Sequence, residues 1–392
     1  MALTPAAMTT LRKLGVELLV EPEAGAAAGF GDESYTAAGA AIAADRDDVF
    51  RRADLIVQVR AAAANPAGAE ADLARVRDGQ TLIGTADALI RTSSLVPWVE
   101  RGVTLLALEL MPRITRAQSM DVLSSMATIA GYRATILAAS HSTQMFPLLM
   151  TAAGTLKPAK VFVIGAGVAG LQALATAKRL GARVFACDVR PAVKEQVESL
   201  GGTFVALPGG SAEGKGGYAR EVGEDVLKQQ QEALRTALAD CDIVICTAAV
   251  PGKPAPKLVT SQAVAGMRSG AVIVDLGAES GGNCELTKPG ETIHASGVTI
   301  LGPLNIASDA PRAASEMFSN NVLAFLKILI KDGRLTLNPS DECVSGTLVC
   351  QAGETKLPAV RDAIGPVKAP QQSAPSGSGE AVEGDGYSLQ RD

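Results

Sequence analysis

The chain has 392 residues, more than one hydrophobic core usually holds, so its length predicts two domains of ordinary size. Its aromatic content of 3% is too low for a surface that stacks bases, and its formal net charge of -5 is opposite in sign to a phosphate-binding footprint. Nucleic acid is therefore excluded as the expected partner.

Cysteines and histidines are sparse. The six cysteines form no CxxC pair, and His141 and His294 lie far apart, so no metal site is expected and both histidines are interpreted as surface or structural residues. Several cysteines fall in apolar runs, which favours reduced core thiols and a cytoplasmic protein. Met1–Thr10 has no signal-peptide pattern, and apolar runs such as Val322–Ile330 fall short of the roughly 20 residues that span a bilayer, so we expect a soluble chain.

The first third alternates short apolar runs with helical stretches, which is typical of a mostly parallel sheet covered by helices. The predicted strands are Val16–Val20, Leu55–Val59, Thr81–Gly84 and Val103–Leu108. Helices or turns are predicted at Ser34–Ala43 and Leu95–Arg101. A polar segment, Glu109–Asp121, then precedes a long helix predicted over Ser119–Ala139, where apolar residues repeat at helical spacing. We interpret this helix as the connection between two α/β domains.

The second region repeats the α/β pattern. The predicted strands are Lys160–Ile164, Arg183–Cys187, Thr203–Ala206, Ile243–Thr247, Val272–Leu276 and Val298–Leu301. A helix over Asn320–Lys331 and a hairpin of Thr347–Cys350 with Glu354–Leu357 follow. Residues 366–392 are rich in Gly, Ser, Pro and Glu and are predicted to be a disordered tail or tether.

A GxGxxG turn is the strongest local signal, because a β-branched strand precedes it and a helix of good helix formers follows it. Gly165 permits the tight turn, Gly167 leaves room for a pyrophosphate, and Gly170 lets helix and strand pack closely. Free N–H groups and the dipole at the helix start favour the anion. The pattern predicts a nucleotide-binding βαβ unit beginning at Lys160. The alternative is a glycine-rich turn without a ligand.

Asp188 closes the second strand of this unit, where a carboxylate accepts hydrogen bonds from the adenosine ribose hydroxyls and repels a 2′-phosphate. Arg190 complicates the choice of cofactor, because an arginine near this position can accept the 2′-phosphate of NADP. The acidic residue at the strand end usually decides, so NAD(H) is predicted over NADP(H).

Several further segments carry a family resemblance that covers nearly the whole chain, from Ala2 to about Val360. They are Arg113–Ser125, Met150–Thr155, Ala173–Ala182, Lys194–Gly202, Gly216–Ala219, Pro251–Pro256 and Gly281–Cys284. With these residues the chain resembles the NAD(H)-binding component, domain I, of proton-translocating nicotinamide nucleotide transhydrogenase, whose sister group is the alanine dehydrogenases.

The resemblance implies an activity and partners. Members of that family pass hydride from NADH to NADP⁺ held by a partner subunit, and membrane subunits couple the transfer to proton movement. The expected assembly is a homodimer that docks one NADP(H)-binding subunit, is cytoplasmic and associates peripherally with the inner-membrane complex. Hydride exchange between two nicotinamides needs oriented rings and no general acid or base, so the scarcity of histidine is no obstacle.

Residue roles also follow from the resemblance. Arg113, Gln118 and Asp121 match a polar loop that positions the nicotinamide, Gln118 reaching the NADP(H) side, and Ser124 matches a nicotinamide contact. By themselves these residues would be interpreted as a solvated connector. The remaining predicted cofactor contacts are Ala166, Val168 and Val189 around the glycine turn, Gly217 and Tyr218 at the tip of a mobile loop, and Gln230 and Ala249 near the adenosine half. Tyr218 alone would be an ordinary loop tyrosine.

Two alternatives remain beside this interpretation. Alanine dehydrogenases use a histidine and a lysine in the first domain, whereas Leu82–Asp87 has Thr85 at the histidine position and Ile56–Arg60 lacks the lysine. A non-catalytic NAD-binding subunit is the other alternative, and the intact polar loop argues against it.

The predicted fold is α/β, with two Rossmann-like domains of mostly parallel strands, joined by a long helix and binding NAD in the cleft. The first domain is predicted to be discontinuous, 1–125 plus 309–365, and the second to span 126–308. The family usually opens with a strand before the Ala-Leu-Thr-Pro stretch, here Ala2–Pro5 directly after Met1. Either the start was assigned late or that strand is absent, which would expose a sheet edge or an apolar face in the first domain.

Overall fold

The first α/β region is built of short strands separated by short helices. A computed structural model describes residues 1–210, 222–250 and 252–364. The helices are α1 (Met8–Lys13), α2 (Asp32–Ala38), α3 (Arg46–Arg52), α4 (Ala69–Arg75) and α5 (Val96–Glu100). The strands are β1 (Leu19–Val20), β2 (Ala41–Ile42), β3 (Leu55–Arg60), β4 (Thr81–Thr85) and β5 (Thr104–Ala107). The three later strands confirm their predictions to within a residue.

Two predictions in this region are partly wrong. The strand predicted over Val16–Val20 is shorter in the structure, where β1 comprises only its last two residues. The helix predicted over Ser34–Ala43 ends at Ala38, because Gly39 adopts a left-handed conformation with φ of 90°. The chain then enters β2, which pairs in parallel with β1.

The second region contains most of the regular structure. Its helices are α7 (Val168–Arg179), α8 (Val193–Ser199), α9 (Glu224–Leu238) and α10 (Ser261–Ala265). Its strands are β6 (Leu149–Thr151), β7 (Gly154–Leu156), β8 (Lys160–Ile164), β9 (Arg183–Cys187), β10 (Thr203–Phe204), β11 (Ile243–Cys246), β12 (Val272–Asp275), β13 (Thr292–Ala295) and β14 (Val298–Leu301). The sheet has the order β10-β9-β8-β11-β12-β14-β13, and within it β13 runs antiparallel to β14. His294 lies on β13, a strand that the sequence pattern did not predict.

Both faces of the second sheet are covered. Val161 and Val163 belong to one apolar cluster, while Phe162 and Ile164 belong to another on the opposite face. This alternation follows from the two-residue period of a strand. A parallel sheet with helices on both faces is the architecture that the sequence predicts, and it is confirmed.

A long helix, α6 (Val122–His141), connects the two regions and begins three residues later than predicted. Within the described ranges it alone has the length and composition to cross a membrane, by those two criteria only. One of its faces packs closely on α7: a Cβ added to Gly131 would lie 2.0 Å from the Ala169 carbonyl oxygen. The Thr135 hydroxyl also donates to the Ala173 carbonyl at 3.1 Å.

The chain returns to the first sheet after the second. Its last described elements are α11 (Pro311–Leu329), β15 (Ile330–Lys331), β16 (Arg334–Leu335), α12 (Glu342–Thr347), β17 (Leu348–Gln351), β18 (Glu354–Thr355) and α13 (Pro358–Ile364). The helix predicted from Asn320 begins nine residues earlier, with Pro311 in its first turn. The predicted hairpin is confirmed as β17–β18, and β17 pairs antiparallel with β5, giving the order β18-β17-β5-β4-β3. All six cysteines are buried and reduced, as predicted.

Candidate functional site

The glycine turn joins β8 to α7 at the carboxyl edge of the second sheet. Gly165 has φ of 90°, a conformation that favours glycine. A Cβ on Gly170 would lie 1.9 Å from the Gly165 carbonyl oxygen, so the helix packs directly on the turn. For a Cβ added to Gly167 the nearest atom would be Arg190 Nη2, at 3.7 Å. The backbone at Gly167 therefore has open space beside it.

The first turn of α7 carries unsatisfied donors. Its N-cap is Gly167, which has no side chain to accept from the amides of the first turn. These N–H groups and the helix dipole form an anion-binding end. A pocket of about 220 Å³ opens at this end, lined by Ala166, Gly167, Val168, Leu171, Arg190, Ala192, Val193 and Gln196. The site therefore has both the space and the donors that a diphosphate requires.

Asp188 lies at the end of β9, beside the glycine turn. Its Oδ2 accepts from the Ala166 amide at 2.7 Å and from Arg190 Nη2 at 2.8 Å. Its Oδ1 accepts from the Arg190 amide and from Arg190 Nε, both at 2.9 Å. The carboxylate is thus nearly buried, with a side chain 5% exposed, and its four acceptor positions are all engaged.

The polar connector precedes α6. Asp121 is the N-cap of this helix: its Oδ1 accepts from the Ser124 amide at 2.9 Å and its Oδ2 from the Ser124 hydroxyl at 2.6 Å. Gln118 is exposed on a 3-10 helix, Thr115–Met120. Arg113 is also exposed, and it interacts with another group of the protein. The structure therefore pairs Asp121 with Ser124 and presents Gln118 to solvent.

The two halves of the candidate site are carried by helices in contact. Asp121 lies ten residues before Gly131, which touches the first turn of α7 at Ala169. At 1.5 Å of rise per residue, the polar connector is about 15 Å along α6 from that contact. The polar connector and the glycine turn are therefore linked through the contact between α6 and α7.

A carboxylate that the sequence pattern did not mark braces the loop after β4. The Glu109 carboxylate follows β5 and accepts from the Ala86 amide at 3.1 Å and the Ala88 amide at 3.0 Å, in the loop after β4. Burial raises the pKa of Glu109. The same loop approaches the second sheet, because a Cβ on Gly252 would lie 3.6 Å from Leu89 Cβ. No local sequence signal identifies Glu109, since its donors come from a different strand end.

The remaining predicted contacts are dispersed. Ala249 is exposed just beyond β11, on the same sheet edge as Gly165. Gln230 is buried in α9, and its Nε2 donates to the Pro208 carbonyl at 3.1 Å, a structural bond. Val168 and Val189 flank the glycine turn and Asp188, and Val168 is 40% exposed. Gly217 and Tyr218 lie outside the described residues.

The parts of the chain that the structure describes hold no cluster of three or more histidine, cysteine, aspartate or glutamate side chains suited to a metal ion. His141 and His294 are both exposed and each is hydrogen-bonded locally, to the Leu137 carbonyl and the Thr299 hydroxyl. A glycine turn, a strand-end carboxylate and a parallel sheet with helices on both faces define an NAD-binding Rossmann-like protein of the oxidoreductase class.

The chain belongs to the alanine dehydrogenase/PNT family. The family model of the N-terminal domain matches residues 1–130, and that of the C-terminal domain matches residues 134–358. An NAD(P) transhydrogenase subunit alpha polypeptide of Rhodospirillum rubrum is 45% identical over 364 residues, covering 92% of this chain and 94% of that protein.

Solved structures agree. The transhydrogenase structure from Sinorhizobium meliloti superposes with a TM-score of 0.80 at 41% identity, covering 90% of this chain and 95% of that one. An L-alanine dehydrogenase structure gives a TM-score of 0.76 at 26% identity, covering 92% and 94%. The fold class and the resemblance to the transhydrogenase component are thereby confirmed.

Proposed function

We propose that this chain is the NAD(H)-binding subunit of a proton-translocating NAD(P)⁺ transhydrogenase. It would pass hydride from its own NADH to NADP⁺ held by a partner subunit, with membrane subunits coupling the transfer to proton movement. The observation that carries the proposal is the open space at Gly167 before the uncapped start of α7, with the Asp188 carboxylate beside it. The 45% identity to a transhydrogenase subunit supports the reaction.

The described residues fit a dinucleotide. The first-turn amides of α7 would hold the diphosphate, and Asp188 would accept from the ribose hydroxyls. Gly165, Ala166, Val168 and Val189 would surround the bound diphosphate and ribose. Ala249 and Gln230, whose Nε2 donates to the Pro208 carbonyl, would lie near the adenosine half. NAD(H) supplies the transferable hydride when it is bound.

Binding of the ribose requires a local exchange of hydrogen bonds. Because all four acceptor positions of Asp188 are engaged, a ribose hydroxyl must replace one of the Arg190 donors. The carboxylate then faces the 2′ position and repels a phosphate there, which favours NAD(H) over NADP(H).

A titration of the chain with NADH and with NADPH, followed by nucleotide fluorescence, tests this assignment. NADH is expected to bind more tightly, and Asp188→Ala should weaken NADH binding by roughly 1–3 kcal/mol, as for loss of a hydrogen bond to a charged group. Arg190→Ala is the matched control, because it removes the guanidinium donors that compete with the ribose hydroxyls and leaves the Asp188 carboxylate in place. Tighter binding of NADPH to the parent chain would overturn the proposal.

The polar connector would position the reacting rings. Arg113 and Gln118 are exposed where a partner subunit can reach them, while Asp121 and Ser124 hold the start of α6 beneath them. Hydride transfer depends on the approach and orientation of two rings. Gln118→Asn should therefore slow transfer to an NADP analogue, measured with the NADP(H)-binding subunit present, and leave NADH affinity nearly unchanged. A large loss of NADH affinity would contradict this role.

Alanine dehydrogenase activity is the alternative that the family offers. At the position of the expected histidine, the Thr85 hydroxyl donates to the Val59 carbonyl at 2.8 Å and so is committed to the backbone. We therefore expect no NADH formation from L-alanine and NAD⁺. Robust turnover of L-alanine would contradict the transhydrogenase proposal and indicate an alanine dehydrogenase. A complex that assembles but transfers no hydride would indicate a non-catalytic NAD-binding subunit.

We also propose that the subunit works as a homodimer at the cytoplasmic side of the membrane complex. The β6–β7 hairpin forms its own two-stranded sheet and exposes Leu148, Met150 and Leu156, with Met150 77% exposed. Exposed apolar patches of this kind mark protein contacts. Met150→Glu should shift the light-scattering mass towards the monomer, whereas Leu304→Glu, at another exposed leucine, should not. A mass unchanged by Met150→Glu would exclude the hairpin from the interface.

We further propose that the chain folds into two domains. Pairing of β17 with β5 supports a discontinuous first domain, 1–125 plus 309–365, around a second domain of 126–308. The cleft between them would hold NAD(H), with the nicotinamide near Arg113.

A further inference from the structure

The carboxyl edge of the second sheet has a switch point between two strands. In the order β10-β9-β8-β11-β12, the chain winds outward from β8 on one side and from β11 on the other. Ligands of open α/β sheets bind outside the strand ends at such a point. The glycine turn after β8 forms one side of this crevice. The loop after β11, residues 247–256, forms the other and is described at 247–250 and 252–256.

The first residues of this loop contact the glycine turn directly. The Thr247 amide donates to the Ile164 carbonyl at 2.8 Å, and the Thr247 hydroxyl donates to the Gly165 carbonyl at 2.7 Å. A Cβ added to Gly165 would lie 3.0 Å from the Ala248 amide nitrogen. Since Ala249 is exposed at this edge, the position of the loop determines how much room a nucleotide has beside the glycine turn.

One side-chain amide holds both ends of the loop. Asn283 Nδ2 donates to the Ala248 carbonyl and to the Pro256 carbonyl, each at 2.9 Å. These two acceptors are eight residues apart in the sequence, so a single nitrogen joins the ends of the loop. The Asn283 main-chain carbonyl accepts from the Leu258 amide at 2.8 Å and from the Val259 amide at 3.0 Å, which secures the segment that follows.

The same side-chain amide is incompletely paired. Asn283 is fully buried, and its Oδ1 has no hydrogen-bond partner among the described atoms. Because an unpaired buried acceptor costs free energy, an apolar side chain would suit the packing of this position better. The asparagine is therefore explained by its two donor bonds to the loop and not by the core around it.

The segment that carries Asn283 is anchored to the end of β12. The fully buried Asp275 carboxylate accepts from the Gly277 amide and the Cys284 amide, both at 2.9 Å. It also accepts from the Thr287 hydroxyl at 2.7 Å. A buried carboxylate paired with three donors fixes this turn relative to the sheet. Asn283 directly precedes Cys284, so its amide extends from a fixed backbone.

We infer that Asn283 is a positioning residue for nucleotide binding: by joining both ends of the loop after β11, it sets the distance between that loop and the glycine turn. Because Asn283 is fully buried, it acts through the loop and not by contact with the nucleotide. The inference rests on the proposed function, which places Ala249 near the adenosine half of NAD(H). The reacting ring is at the other end of the dinucleotide, so loss of Asn283 should weaken binding and spare hydride transfer.

Asn283→Ala removes both donors to the loop and tests the inference in the full chain. We expect the NADH dissociation constant, measured by nucleotide fluorescence, to rise about tenfold, as for loss of a buried hydrogen bond. With the NADP(H)-binding subunit present, KM for NADH should rise by a similar factor and kcat should stay at the parent value, because only uniform binding is lost. Hydrogen exchange should become faster in the peptide that contains residues 247–256.

Gln231→Ala is the matched control. Gln231 Nε2, on α9, donates to the Lys257 carbonyl at 2.7 Å, one residue past the loop. The variant therefore removes a bond of the same type from the same segment without releasing the ends of the loop. Its NADH affinity should equal that of the parent chain.

Gly277→Ala is a second variant, which keeps the Asn283 amide and crowds it. The new Cβ would lie 3.1 Å from Asn283 Oδ1, whereas ordinary contact begins at 3.4 Å. The Gly277 φ of -78° suits alanine, so the strain falls on the neighbouring side chains. NADH affinity should fall, by less than in Asn283→Ala.

Parental NADH affinity in Asn283→Ala, or an equal loss of affinity in Gln231→Ala, would overturn the inference and leave the proposed function intact. If Asn283→Ala does not fold, Gly277→Ala decides, and parental affinity in that variant would overturn the inference. Absence of NADH binding by the parent chain would overturn the proposed function and this inference together.

Discussion

Replacement of Gly170 by alanine separates the structural glycine of the turn from the glycine that faces the ligand. The new Cβ would lie 1.9 Å from the Gly165 carbonyl oxygen and 3.0 Å from Thr247 Oγ1, whereas ordinary contact begins at 3.4 Å. Because the nearest obstacle is backbone, α7 must move away from β8. Such overpacking costs about 1–3 kcal/mol, so the urea midpoint should fall and NADH binding should weaken with it.

Gly167→Ala is the matched comparison. Its Cβ would meet Arg190 Nη2 at 3.7 Å, and the Gly167 φ of -77° suits alanine, so the free energy of unfolding should change by less than about 0.5 kcal/mol. NADH affinity should still fall, since the methyl group occupies the space offered to the diphosphate. Circular dichroism in urea and fluorescence titration measure the two quantities. Equal stability of the two variants would refute the packing argument, and parental affinity of Gly167→Ala would refute the diphosphate placement.

Three further predictions concern stability and reactivity. Asp121→Ala removes the cap of α6 and should cost about 1 kcal/mol in urea unfolding, with Asp121→Asn close to the parent; equal loss in both would contradict the capping role. Arg116 lowers the pKa of Asp341 from 3.8 to about 2. The ion pair therefore stabilises the fold fully at pH values above 3.8, and this stabilisation is lost as the pH falls towards 2. The Tm difference between the parent and Asp341→Asn should therefore shrink over that range, and a constant difference would argue against it. Burial raises the pKa of Cys187 and Cys350 to about 12, so both thiols are essentially un-ionised at pH 8. Native protein should release little thionitrobenzoate and urea-unfolded protein should react at all six thiols, whereas rapid native reaction at these two cysteines would show that they are accessible.

Local patterns in the sequence predicted the regions of the fold that depend on neighbouring residues. The sequence predicted the glycine turn, β8 and β9 directly, because the glycine motif and the apolar runs of both strands are contiguous segments. The short strands β2 and β13 escaped prediction, since two to four residues carry little periodicity and their pairing partners lie elsewhere in the chain.

The candidate site was predicted to a similar depth. The position of Asp188 at a strand end follows from spacing, but its saturation by Arg190 depends on a side-chain conformation that no spacing encodes. Glu109 could not be identified, because its donors Ala86 and Ala88 are brought to it by the pairing of β4 with β5. The roles assigned to Gln118 and Tyr218 stay predictions.

The contact of Gly131 with Ala169 has a mechanical consequence. Because the backbones of α6 and α7 touch there, neither helix can slide or rotate without breaking that contact, and the distance from the polar connector to the glycine turn is fixed. If the nucleotide binds in the proposed cleft, widening of that cleft would instead involve the loop at Ala86–Leu89, which Glu109 braces through the Ala86 and Ala88 amides. The donor ring would thus be held on a stationary platform, and entry would be governed from the other side.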